Sequence, residues 1–100
     1  MITDSVMSGV IYREDVQDEQ WLIAQLLEHD INAQAKTIDE LRGALAATVF
    51  AEWQAHDHDL SKIAPAPKRF FDMCRSEKDL EFEEEVNGMG VSFSLCNNAA

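Results

Sequence analysis

Cysteine is scarce in this sequence. Cys74 and Cys96 are its only two, far apart and without the paired spacing of a disulfide framework or a zinc site, so reduced thiols in a cytoplasm are the simpler expectation. Glycine is equally sparse at four residues, which leaves no Gly-rich phosphate loop and no Gly-x-Ser-x-Gly nucleophile turn. The apolar runs fall far short of the roughly 20 residues that a membrane-crossing helix needs. The opening MITDSVMSGV has no basic segment followed by an apolar one, so no secretory leader is expected and a soluble, cytoplasmic protein is. Positive charge is the largest deficit: 8 Lys and Arg stand against 19 Asp and Glu, a formal net charge of −11. Such a surface repels phosphate backbones, so no direct nucleic-acid binding is expected. It attracts a basic partner and speeds its capture. The plain alternative is that the charge only keeps the protein soluble.

What the sequence does contain is order. At 100 residues and 46% apolar content it has the makings of one domain with a single core. Trp21 to Leu27 is a dense apolar run with one polar interruption, Gln25, which suits a central strand buried on both faces. Ile31 to Lys36 alternates: Ile31, Ala33 and Ala35 against Asn32, Gln34 and Lys36, the period of a half-buried strand. Glu28-His29-Asp30 supplies the turn of an antiparallel hairpin between them. Thr37 with Glu40 three residues later forms a capping box, each able to satisfy a free backbone N–H of the other. Leu41, Leu45, Val49 and Trp53 then recur every four residues, beside Ala44 and Thr48, and predict a helix over 38–55 with one apolar face.

The run LLEHDINAQAKTIDELRGAL, inside a match extending from about Val10 to Trp53, resembles the HicB antitoxin family. The likeness lies in an apolar strand, a short acidic turn, an alternating strand of small residues and a Thr-led capping box opening a striped helix. The resemblance implies a partial ribonuclease-H-like sheet with an added helix. It also implies binding to a HicA-like toxin, a small basic ribonuclease. Family members usually add a C-terminal helix-turn-helix or ribbon-helix-helix segment for operator DNA. No such segment is recognisable here.

On either side of that stretch the pattern is readable too. SGVIYRE, residues 8–14, alternates as a first strand, and the polar residues 15–20 return the chain into Trp21. Pro65 and Pro67 hold their segment extended, and Pro67 can open a second helix over 67–79. In it Phe70 and Phe71 are anchors into the core or a subunit contact rather than a ligand box. Residues 82–86 lead through Asn87-Gly88, a turn dipeptide, to Val91, Phe93 and Leu95 alternating with Ser92 and Ser94. This last strand either closes a hairpin with 82–86 or adds to the main sheet. The expected fold is therefore α+β: a three- to four-stranded, mostly antiparallel sheet covered by one main helix. Its β-β-β-α core spans 8–55, and a second short helix and a C-terminal strand lie within 67–96 of one domain, 1–100. Exposed sheet edges make a homodimer the default expectation.

Reactive chemistry is thin. His56-Asp57-His58-Asp59 is the densest set of potential ligands, with His29, Cys74 and Cys96 unplaced. Zinc sites show tighter paired spacing, and a histidine suits the negative end of a helix, so neither metal nor cofactor is expected. Glu28 and Asp30 near a strand end could serve a two-metal nuclease, but turn preference explains them equally well. Cys74 reads as part of an apolar helix face, where a thiol is inert. The run through Glu83, Glu84 and Glu85 reads as a solvated strand face or as a phosphate mimic for a basic partner. The expected function is a non-enzymatic, HicB-type module that masks the active surface of a HicA-like toxin, with Glu28, Asp30, Glu83, Glu84 and Glu85 facing the partner. The other readings are a stand-alone oligomeric scaffold or small-ligand protein of the same fold, and a metal-dependent hydrolase.

Overall fold

The three apolar patterns of the first half form three paired strands, in a computed structural model that describes residues 5–74, 80–86 and 88–98. Strand β1 (Ser5–Val16) and strand β2 (Glu19–Leu26) are antiparallel, in register from Gly9 opposite Leu26 to Val16 opposite Glu19. Strand β3 (Asn32–Ala35) continues the meander, with Ala33 opposite Ala24. The first hairpin is longer than its alternation suggested. Its turn is only Gln17-Asp18, both left-handed at φ 50° and 66°, the hand that matches strand twist in a two-residue loop. The turn lies inside the polar stretch 15–20 where it was expected, although neither residue is the Gly or Asn that would have fixed its position.

Helix α1 (Ile38–Ala55) begins where the capping residues placed it. Thr37 is extended, and its hydroxyl oxygen accepts from Glu40 N–H at 3.2 Å. The reciprocal half differs from expectation: the Thr37 hydroxyl donates to the Glu40 carboxylate at 3.1 Å. Leu41, Leu45 and Val49 are buried, while Trp53 is half-buried. Each fully buried aliphatic side chain contributes about 1.5–3 kcal/mol relative to exposure. The helix stops without glycine. His56 N–H bonds Glu52 O at 3.1 Å, and Asp57 and His58 turn left-handed at φ 56° and 62°.

The sheet corrects the expected strand number of three or four, and three of its four pairings are antiparallel. It has five, in the order β3-β2-β1-β5-β4 (β4 is Leu80–Val86, β5 is Met89–Asn97), and it is mixed. The last strand does both things left open for it: it closes a hairpin with β4, Phe93 opposite Phe82, and lies parallel to β1, Val10 opposite Cys96. The reason is that β1 has two edges and β2 takes only one. Val91, Phe93 and Leu95 then extend the layer of Met7 and Ile11 beneath α1, and the intervening helices supply the long connection a parallel pair requires.

The other face is covered by less. After a 3₁₀ turn at Leu60–Lys62 the chain runs beside the β2–β3 loop, with Asp30 N–H bonded to Ala64 O at 2.7 Å and Ala66 N–H to Leu27 O at 3.0 Å. That strap delivers helix α2 (Lys68–Met73), shorter than the expected 67–79, residues 75–79 lying outside the described ones. Phe70 is buried there with Val10, Leu27, Ala66 and Cys96, whereas Phe71 is 43% exposed and anchors nothing in this core. Cys74 and Cys96 are bonded to each other, Cα atoms 5.5 Å apart. This corrects the expectation of reduced thiols: the fold brings together residues that are 22 apart in sequence, and such bonds persist in oxidising surroundings. The bond ties the end of α2 to β5, where Asn98 also donates from its side chain to Met73 O at 2.7 Å.

Two glycines test the packing in opposite senses. A Cβ on Gly9 would lie 2.7 Å from both Gln25 O and Leu95 Cδ2, while one on Gly43, in α1, meets nothing within 4 Å. In urea titrations Gly9→Ala should destabilise by about 1–3 kcal/mol and Gly43→Ala should stabilise by about 1 kcal/mol. The disulfide should contribute about 3 kcal/mol by the chain-entropy relation for a loop of this length. Thermal unfolding with and without a dithiol reductant measures it, and an unchanged midpoint would show that α2 needs no tether.

Candidate interaction surface

Strand alternation divides the acidic residues between two faces. On β4, Leu80, Phe82 and Glu84 share the face under α1, and Glu81, Glu83 and Glu85 share the other, following the pairing of Phe82 with Phe93. The expected run Glu83-Glu84-Glu85 is therefore not one surface. Glu84 belongs with the helix: Arg42 Nε lies 3.2 Å from its Oε1, an ion pair misdirected for a hydrogen bond, and the same guanidinium sits 4.9 Å from the centre of the Phe82 ring. Glu83 and Glu81 accept from the Ser92 and Ser94 hydroxyls at 3.1 and 3.3 Å. With Val6, 64% exposed, they line a shallow concavity of about 470 Å³ beside α2.

Glu28 and Asp30 stand elsewhere. The Glu28 carboxylate accepts from Ser8 N–H at 2.8 Å and closes the end of the β1–β2 ladder. Asp30 accepts from the Gln25 side-chain amide at 3.0 Å. From β4 to the end of β2 is three strand spacings, about 14 Å, so the two acidic groups flank α2 rather than meet. His56 and His58 part company as well. The His56 Nδ1 turns back to Glu52 O at 2.8 Å, and the His58 ring stacks on Trp53 with centres 4.1 Å apart. Among the described residues no three His, Cys, Asp or Glu side chains are grouped to hold a metal ion. No helix among them is long and apolar enough to cross a membrane.

A second concavity, about 360 Å³, lies on the opposite flank of α2. Tyr12 and Glu14 of β1, Ile23 and Gln25 of β2, and Asn32 and Gln34 of β3 line it from the sheet, with Asp30 from the loop and Arg69 and Phe70 from α2. The tyrosine and phenylalanine rings stack at 6.0 Å, and the Arg69 guanidinium lies 4.7 Å from the Phe70 ring centre. Sequence reasoning did not single these residues out. The one available signal was Gln25, the polar residue inside an apolar strand.

Charges around this hollow act on Tyr12. Burial raises its phenol above the ordinary 10.0, Glu14 raises it further and Arg69 lowers it. The contribution to stability from this raised value is full below the unfolded-state pKa and is lost as pH rises through the folded one. Tyr12 is the only tyrosine, so ultraviolet titration reads it directly. Glu14→Gln should lower its pKa and Arg69→Ala should raise it, and no movement in either variant would place both charges outside its reach. The chain matches no protein-family model, no curated protein and no solved structure.

Proposed function

We propose that the chain is a non-catalytic, HicB-type protein-binding module that neutralises a small basic ribonuclease of the HicA kind by covering its active surface. The observation that carries this reading is how the charges are disposed. Lys36, Arg42, Lys62 and Lys68 lie against Glu19, Glu84, Asp57 and Asp72 at 3.3, 3.2, 3.2 and 2.9 Å. Their fields are thus largely cancelled locally. Glu81, Glu83 and Glu85 share one exposed strand face, where Glu83 and Glu81 accept from the neutral Ser92 and Ser94 hydroxyls. The excess of acid is therefore presented outward, as a surface meant for a basic partner would be. It acts through steering more than through contact energy. The order of elements from β1 to α1 agrees with the arrangement the family resemblance implies.

Charge reversal tests the proposal. Glu81→Lys, Glu83→Lys and Glu85→Lys together should slow association with a basic ribonuclease about tenfold at low salt and flatten its salt dependence. Stopped-flow association rates measure this, and unchanged rates would discard the steering role of β4.

A further inference from the structure

Among the described residues Gln25 is the only buried polar side chain, 2% exposed, one residue from the end of β2. Its amide orientation is fixed by its neighbours. The nitrogen faces Leu26 O and Asp30 Oδ1 at 3.0 Å and Ile31 O at 3.3 Å, all of them acceptors. Only the NH₂ end of an amide suits such company. The Oε1 atom is thereby held away from them. Among the described residues no donor reaches it, and it is not one of the sealed buried atoms. It opens on the hollow that Gln25 lines beside α2. An acceptor held this way is free to take a donor that enters the hollow, a water or a ligand group that displaces it.

The walls specify which donor. Glu14 and Asp30 bring two carboxylates to the same hollow against one cation, Arg69, and the half-buried Tyr12 brings an aromatic ring to its mostly polar wall, packed on the buried Phe70. Acceptors at the floor and rim, a net negative charge and an aromatic platform together suit a planar cation rich in N–H groups. Guanidinium has that shape and donor pattern, whereas a lysine ammonium is a compact point charge that cannot lie flat against a ring. The hollow is small and its rim is exposed, so a free molecule would bury little of itself there. A side chain belonging to a larger partner gains from the surface around it.

We propose that this hollow is a receptor for one arginine side chain of a basic protein partner, its guanidinium bonded to Gln25 Oε1 and flanked by the Glu14 and Asp30 carboxylates. The assignment rests on the reading that the chain binds a basic protein, and it names the anchoring contact. It lies on the far side of α2 from the β4 glutamates, so the two act separately: β4 on the rate of encounter, the hollow on the lifetime of the complex.

The test uses the full chain alone, titrated with N-acetyl-arginine amide and followed by ¹H–¹⁵N spectra that include the Gln25 side-chain amide. Saturable millimolar binding is expected, with the lysine analogue weaker. Gln25→Met should weaken it about tenfold, as befits a hydrogen bond to a charged group. Glu14→Gln should weaken it about threefold, and Arg69→Ala should tighten it by a similar factor. Glu14 and Arg69 are exposed, so these two variants keep the test open if Gln25→Met does not fold. Shifts that never saturate, or that saturate equally with the lysine analogue, overturn the proposal. Weaker binding by Arg69→Ala also overturns it, since that sign belongs to an anionic ligand. Because no partner protein is present, failure here leaves the wider reading standing, and that reading fails separately if the β4 charge reversals leave association unchanged.

Discussion

Strand β1 is hydrogen-bonded along both edges, antiparallel to β2 and parallel to β5, and Gly9 within it lets its neighbours close in. The backbone of Gln25 and the side chain of Leu95 both approach to within 2.7 Å of where a Cβ would be. Because β1 stays so thin there, Ile11, Leu26 and Leu95 form one unbroken apolar layer for α1 to lie on. A bulkier residue would push β2 or β5 outward, and the alternation that points Leu26 and Leu95 inward would lose its footing. The packing of both halves of the chain therefore depends on one narrow place in the first strand.

The two faces built on that sheet differ in kind. Under α1 the contact is broad and apolar, the ordinary way a helix and a sheet bury each other. On the other face α2 contributes one buried ring, Phe70, and is held as much by backbone hydrogen bonds, Asn98 and the Cys74–Cys96 bond as by packing. A short helix laid over the middle of a sheet leaves margins on both sides, and both hollows lie in those margins. The concave surface arises from incomplete coverage, not from a cleft between large elements.

Much of this was readable in advance. The continuous apolar run of β2, the alternation of β3 and β5, and the Thr37 cap each express a local rule, and each element appeared where the rule put it. Pairing between distant segments was not readable. Nothing near Val10 announces that Cys96 will lie opposite it, and without that register the two cysteines look unrelated. The first hairpin showed its turn only as the polar stretch 15–20, and its exact place stayed hidden because Gln17 and Asp18 adopt a conformation usually left to Gly or Asn. The glutamates of β4 looked like one block because adjacent letters in a strand point to opposite faces, and only the register shows which ones α1 claims. Gln25 stood out as an anomaly, yet what an anomalous polar residue faces is settled by tertiary structure alone.

The parallel pairing of β1 with β5 has a consequence for how the chain comes into being. During synthesis the first strand leaves the ribosome long before the residues that will lie along its second edge, Met89 to Asn97. Until they emerge, the nascent meander has an open flank with Met7 and Ile11 lacking the cover of Phe93 and Leu95. A protein arranged this way completes its sheet only once residues 89–97 have emerged, so truncation inside that strand leaves a sticky, unfinished polypeptide instead of a smaller folded one.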